Sequence, residues 1–589
     1  MTLPGPGIAC DAVGTIGRGA FQTWVRIASR VRHGPLLLAL VAVSAPALAR
    51  AQPPRTWGVE TGAPSTATAT ATATATSTST ATATATATPP PEPPPATLGT
   101  PVSGSTSTSE TPPADGAAGP GIVRTPGAIG LKYTLEGVEV RGNTTTLARV
   151  VLRYVPFRAG DVLDVDDSEL ELTRFRLLGT GYFRDVQLSL RRGTRRGYVV
   201  LVVDVVERNT LVVDGLWLGL SEDATPSGRA RPLTAYGGAK VTEVNLAGSG
   251  IALGGAFAVA EGQLALRASV ADPQWLGSSW VTEAELLYNN ARDLFGNRDV
   301  SVTYRDVPEP IRQDYAVLQY KRFGGRLGVG HDLGISSRLF FDYRLEKIDA
   351  TPPLAASHLR GTVEEPIDFM LFDGSSILST LSATVVYDTR DEPFLPTRGR
   401  WITASLDASL TPLGSDYPYT KVVARGSQWW TLPWGHVLEL EGFAASVFGD
   451  APLFERFYIG DLSDFLPDRV LDLNFDRQLP PNFLNTDVVE IRYGNYAAEV
   501  DAEYRVPLYR GTRSIYGVDF FGRFGVYGIA NPIDFVDHAH GYQGFGTIPI
   551  DLTFNAGLRI DTQAGGFVLG VANLLNITGL VPTHGAVRP

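Results

Sequence analysis

The sequence predicts an all-β transmembrane barrel of about 16 antiparallel strands, preceded by one small α+β domain and a disordered N-terminal linker. Three observations carry that prediction. From about Leu211 onward the chain is a series of segments of roughly 9–12 residues separated by Gly/Asp/Asn/Pro clusters, a length that spans a bilayer when strands tilt. In the clearest of these segments charge falls on one parity, as it must where successive side chains alternate between lumen and lipid. No stretch approaches roughly 18 uninterrupted apolar residues, so helical spans are excluded and a barrel is not.

Residues 1–51 read as an export signal. Arg26, Arg30, Arg32 and His33 precede the apolar run Pro35–Val43, and Ala47-Leu-Ala49 and Ala49-Arg-Ala51 offer small-residue cleavage sites. The run is shorter than the roughly 20 residues of a membrane-spanning helix, which argues against an inner-membrane anchor. The long stretch before Arg26 would follow from a start placed too early. Cys10, the single cysteine, lies upstream of the cleavage sites, so the exported chain would use neither disulfides nor thiolate ligands.

Residues 52–128 alternate Thr and Ala through most of Thr66–Thr88 and continue into Pro89-Pro-Pro-Glu-Pro-Pro-Pro95. Such a tract buries too little apolar surface to offset its chain entropy and reads as a disordered spacer, or as a tether to the envelope. Residues 129–208 then read as one β-α-α-β-β unit. Tyr133–Val140 alternates; Thr146–Leu152 and Val165–Leu178 carry apolar residues at helical spacing, with Gly160-Asp161 between them. Val186–Leu190 and Tyr198–Val206 read as strands joined by the basic hairpin Arg191-Arg-Gly-Thr-Arg-Arg-Gly197.

Residues 209–589 form the barrel. In Tyr496–Val506 the acids Glu499, Asp501 and Glu503 share one face and Ala498, Val500, Ala502 and Tyr504 the other. Asp519 and Arg523 oppose Phe520 and Phe524 in Ile515–Tyr527, and Leu552–Asp561 and Arg400–Leu410 divide in the same way. A soluble β-sandwich alternates too, but some 380 residues of consecutive strands behind an export signal favour a closed barrel, which leaves no sheet edge.

The second and third regions together resemble a known family. Gly137-Val-Glu-Val-Arg-Gly-Asn143, Leu177-Leu-Gly-Thr-Gly-Tyr-Phe183 and Val205-Val-Glu207 resemble a POTRA domain, the periplasmic module of BamA/TamA-like outer-membrane assembly proteins. Val386-Tyr-Asp388-Thr-Arg390-Asp391-Glu-Pro-Phe-Leu-Pro396-Thr-Arg-Gly399 resembles the strand-turn-strand signature of their barrels. Asn245-Leu-Ala-Gly248 and Ala271-Asp272-Pro273 resemble the ends of early barrel strands, so the likeness covers about residues 132–575.

The resemblance implies a cell outer-membrane barrel with its POTRA domain in the periplasm. It also implies that the long loop 448–495 folds back into the lumen and pins an arginine against acids of the wall. Phe454-Glu-Arg-Phe-Tyr-Ile-Gly460-Asp resembles the approach to that loop. The family's Arg-Gly-aromatic motif is absent, and Pro467-Asp-Arg469-Val-Leu-Asp472 stands in its place. The expectation is that Arg469 pairs with Asp519, while Arg523 serves Asp468, Asp472 or one of the luminal acids Glu499, Asp501 and Glu503. The alternative is that Arg469 is a solvated loop residue. Gly566–Leu575 resembles the penultimate strand, and Asn576–Pro589 lacks the family's terminal aromatic residue. In the family the seam between first and last strands opens laterally.

Other chemistries find no support. The net charge of −11 argues against nucleic acid. His538-Ala-His540 lacks a third ligand at useful spacing, and no nucleophile elbow, phosphate loop or dinucleotide fingerprint occurs in a fitting setting. The expectation is therefore no enzyme, no metal and no cofactor. The expected function is to assist insertion, assembly or translocation of other outer-membrane proteins. Its partners would be unfolded outer-membrane or secreted clients, captured by the POTRA domain partly by strand addition, together with the lipid bilayer and accessory proteins of the envelope. The alternative is a secretion or passive pore dedicated to one exported partner.

Overall fold

The computed structural model describes residues 132–165, 167–296, 299–360, 363–466 and 468–572. The expected export signal, the linker and the segment Asn576–Pro589 lie outside the described residues.

The N-terminal unit runs β1 (Lys132–Arg141), α1 (Ala148–Arg153), β2 (Val162–Asp164), α2 (Ser168–Gly179), β3 (Phe183–Arg192) and β4 (Tyr198–Glu207). Its sheet has the order β2-β1-β4-β3, with β1 and β4 parallel. Leu135, Val151, Tyr154, Leu177, Tyr182 and Leu201 form its core, each 1% exposed or less. The three-residue β2 is missing from the sequence reading because so short a strand shows no alternation; it pairs antiparallel with the start of β1. The second helix begins at Ser168, three residues later than its periodicity suggested, because the Asp167 carboxylate accepts from Glu169 N–H at 2.9 Å and caps it.

At the end of β4, Glu207 grips the turn that leads into α1. Its carboxylate accepts from the backbone N–H groups of Thr144, Thr145 and Thr146 at 3.2, 3.0 and 2.6 Å and from the Thr144 hydroxyl. Burial pushes this carboxyl up, but the hydrogen bonds from the threonines outweigh it and hold the group at about 2.

Beyond the unit come β5 (Leu211–Ala224), β6 (Ala230–Glu243), β7 (Ala252–Ala260), β8 (Gln263–Asp272), β9 (Trp280–Phe295), β10 (Val300–Tyr304) and β11 (Val307–Gln313). Next are β12 (Ala316–Asp332), β13 (Ser337–Thr351), β14 (Ala355–Arg360), β15 (Val363–Pro366), β16 (Gly374–Asp388), β17 (Gly399–Ser409), β18 (Tyr419–Thr431) and β19 (Val437–Gly449). The described residues continue with β20 (Phe457–Tyr458), β21 (Tyr493–Gly494), β22 (Tyr496–Arg510), β23 (Ile515–Ala530), β24 (Ile550–Thr562) and β25 (Gly565–Ala572).

Fifteen of these strands, β5–β9, β12, β13, β16–β19 and β22–β25, form one antiparallel sheet in which each pairs with the next. Among the described residues the sheet is one strand short of the sixteen or so expected from the sequence. β10, β11, β14 and β15 make a separate four-stranded sheet in the loops at the end far from the N-terminal unit.

The parity rule holds along the wall. On β13, Arg338, Phe340, Asp342, Arg344, Glu346 and Ile348 are buried, while Phe341, Tyr343 and Leu345 between them are exposed. On β22, Glu499, Asp501 and Glu503 are buried and Val500 and Tyr504 exposed. An apolar exterior around a charged interior reverses the usual globular arrangement and suits a barrel in lipid.

Candidate functional site

The segment from Asp450 to Asn495 leaves β19 and returns through the lumen to β22. Leu453, Phe454, Tyr458, Ile459, Leu473 and Phe475 are all 2% exposed or less, so this loop fills the barrel rather than hanging in solvent. A short ladder between β20 and β21 ties its two ends together.

Arg469 is buried, which rejects the solvated reading, but its partner is not Asp519. Its guanidinium donates to Asp461 within the same loop, Nε at 2.9 Å, and Nη1 donates to Phe454 O at 3.1 Å. Asp519 instead accepts from Arg510 at 2.5 Å. The reason is height along the barrel: Asp519 lies near the start of β23 at the domain-side rim, whereas Arg469 closes on a loop turn near the far end. Arg523 takes one of its expected partners, Asp501, and also donates to Glu441 at 3.0 Å. Glu503 accepts a two-pronged contact from Arg559 at 2.7 and 2.6 Å. Glu499 lies on the same luminal face with its Oε1 buried and without a hydrogen-bond partner among the described residues.

The charged contacts between loop and wall run both ways: Arg477 of the loop pairs with Glu222 of β5, the polarity expected, while at other points acids of the loop meet cations of the wall. Asp472 accepts from Arg267 of β8 at 2.9 Å and from Arg322 of β12 at 3.2 Å. Glu455 accepts from Arg344 of β13 at 2.7 Å and from Lys421 of β18 at 3.3 Å. Asp464 accepts from the Thr553 hydroxyl of β24 at 2.8 Å. Asp472 sits at the tip of a tight turn closed by reciprocal 3.0 Å backbone bonds between Val470 and Leu473. Both central residues, Leu471 and Asp472, have positive φ (51° and 66°), a conformation that favours Gly or Asn and costs of order 1 kcal/mol or more per residue elsewhere. The wall compensates, since Leu471 O also accepts from Asn289 at 2.9 Å and from Arg267 at 3.2 Å. The four wall cations lie at interior parity in the sequence, but nothing in the sequence pairs them with the loop.

The signature turn between β16 and β17 makes a second internal feature at the domain-side rim. Arg390 donates to Asp388 at 2.8 and 2.6 Å, and Asp391 accepts from Thr397 N–H at 2.9 Å and from its hydroxyl at 2.5 Å. Gly399 has φ +106°, and a Cβ there would run into Thr389 O. Held this way, the turn presents Pro396 O to Arg505 of β22 and buries Leu395 beside Gly517 of β23. The five signature residues thus act together, as one folded turn rather than as separate ligands.

The N-terminal unit is docked on that same rim, within one compact unit with the barrel. Leu147 N–H donates to Gly248 O at 3.0 Å, Asn245 to the Thr146 hydroxyl at 2.9 Å, and the Tyr182 hydroxyl to Gly250 O at 3.0 Å. Arg153 of α1 reaches Asp332 at 2.6 Å, where Arg176 of α2 (3.6 Å) and Arg338 of β13 (2.6 Å) also converge. Arg398 of the signature turn pairs with Glu171 of α2 at 2.8 Å. Arg153 also donates to Pro273 O at 3.4 Å, so the Asn-Leu-Ala-Gly and Ala-Asp-Pro motifs are docking turns, a role that strand patterning does not signal.

An α+β domain seated on one rim of a loop-filled β-barrel defines a class, that of POTRA-fronted outer-membrane barrels. Residues 133–208 match the family model described as surface antigen variable number repeat, the POTRA module, and residues 245–465 match the Omp85 superfamily domain. The chain is a BamA/TamA-like protein of the Omp85 superfamily, its barrel in the outer membrane and its POTRA domain in the periplasm. It is 25% identical over 338 residues to the outer membrane protein assembly factor BamA of Nitratidesulfovibrio vulgaris, a match covering 56% of this chain and 37% of that relative's length. Among solved structures, BamA from Haemophilus ducreyi lacking POTRA domains 1–3 is 16% identical, covering 75% of this chain and 81% of that one, with a TM-score of 0.40. CdiB from Escherichia coli is 11% identical, covering 73% and 70%, with a TM-score of 0.46. Likeness at that level carries no inference about activity.

Proposed function

We propose that this protein assists the insertion, assembly or translocation of other outer-membrane proteins, taking unfolded clients at its POTRA domain. The observation that supports this best is the filled lumen. A passive pore needs an open water path, whereas this interior is occupied by a long loop tied to the wall through Asp472 and Glu455. In this reading the loop acids are the locking residues, Arg469 braces the loop from within through Asp461, and Arg523 organises the acidic wall. Work on clients then falls to the wall and its seam, where strand pairing and burial in lipid supply the driving force without nucleotide.

Proteoliposomes test this directly. Vesicles containing the protein are expected to speed the folding of a urea-unfolded small barrel client by about tenfold over empty vesicles, read as heat-modifiable gel mobility. Equal rates in both vesicle types contradict the proposal.

A further inference from the structure

Arg208, the first residue after β4, gathers three parts of the molecule. Its backbone N–H donates to Tyr182 O at 3.0 Å, which fixes it to the POTRA domain. Its guanidinium lies 4.5 Å from the ring centre of Phe394 in the signature turn and 5.2 Å from that of Tyr516 in β23. The same group donates to Thr562 O at 3.0 Å and to Asp561 at 3.4 Å, at the end of β24. Asn209 follows, donating to Gln563 O at 3.2 Å in the turn between β24 and β25, and then Val213 N–H of β5 donates to Ala564 O at 2.7 Å. Among the described residues no ladder joins β5 to β25.

We propose that Arg208 is a positioning residue that holds the periplasmic end of the barrel seam shut and couples that closure to the POTRA domain. The chemistry suits a guanidinium: a planar cation can lie against two aromatic rings while its edge donates to a carbonyl and a carboxylate, which a lysine cannot do at once. The coupling has a visible route. Phe394 belongs to the turn whose Arg398 pairs with Glu171 and lies 5.0 Å from the Phe175 ring, both on α2. Movement of α2 therefore pulls on the turn, and the turn on the ring that Arg208 covers. The inference rests on the assembly reading only in giving the seam work to do.

Hydrogen exchange on the full chain in lipid nanodiscs tests it. Arg208→Ala should speed amide exchange about tenfold in 211–216 and 560–566 together, with the β16–β17 ladder unchanged. Arg208→Lys should rescue this only weakly, and Phe394→Leu should act in the same direction. Unchanged exchange in both segments, full rescue by lysine, or equal loosening of every strand would each overturn the coupling. Client folding by the same variants separates the two claims. A loosened seam in a protein whose unaltered form folds clients no faster than empty vesicles contradicts the assembly reading and leaves the coupling standing. Unchanged exchange contradicts the coupling whatever happens to clients.

Discussion

At Asp472 two wall guanidiniums converge on one loop carboxylate that is itself held on a strained turn. Removing one partner of a buried ion pair is costly because the other is left charged and dry. Asp472→Ala is thus expected to destabilise the plugged state by about 3 kcal/mol. It would expose the loop around residues 463–478 to protease while the barrel stays folded, read by limited proteolysis in detergent. A cleavage rate equal to that of the unaltered protein contradicts the lock. The sequence pointed to this stretch, Pro467 to Asp472, but assigned the role to its arginine. The family pattern supplied that polarity, and no single sequence reveals that Arg267 and Arg322 converge on Asp472 and Arg344 and Lys421 on Glu455. Parity does show that each points inward.

At the scale of elements, the β1–α1 turn is fastened to the end of β4 by Glu207, which in turn sets Leu147 and Thr146 against the barrel turn at Asn245–Gly248. Because the folded state holds this carboxyl at about 2, below its ordinary 4.5, its contribution is complete above about pH 4.5. It is lost as the pH falls toward 2. Glu207→Gln should therefore lower the thermal midpoint of the POTRA domain at pH 7, and the gap from the unaltered protein should shrink steadily between pH 5 and 2. A gap independent of pH contradicts the assignment. Strands and helices were legible here because periodicity reports which face is buried. The three-residue β2 and the docking turns were not, since short segments have no period and turn residues announce a bend without naming what it touches.

For the whole molecule, the architecture was readable because a barrel in lipid leaves a mark on nearly every strand: Glu499, Asp501 and Glu503 alternate with Ala498, Val500, Ala502 and Tyr504, and the wall follows. What holds the barrel shut was less readable. The loop, the signature turn and the docked POTRA domain are joined by side chains far apart in sequence, such as Glu455 with Arg344 and Arg398 with Glu171. In the proposed reading the loop-filled lumen leaves the barrel wall as the working surface, and a wall would serve more than one client. Depletion of the protein in its own cell, followed by quantitative measurement of the outer-membrane proteome, is the most direct test. Several unrelated barrel proteins are expected to fall together; loss of one secreted partner with the barrel proteins unchanged would rule out a general assembly role.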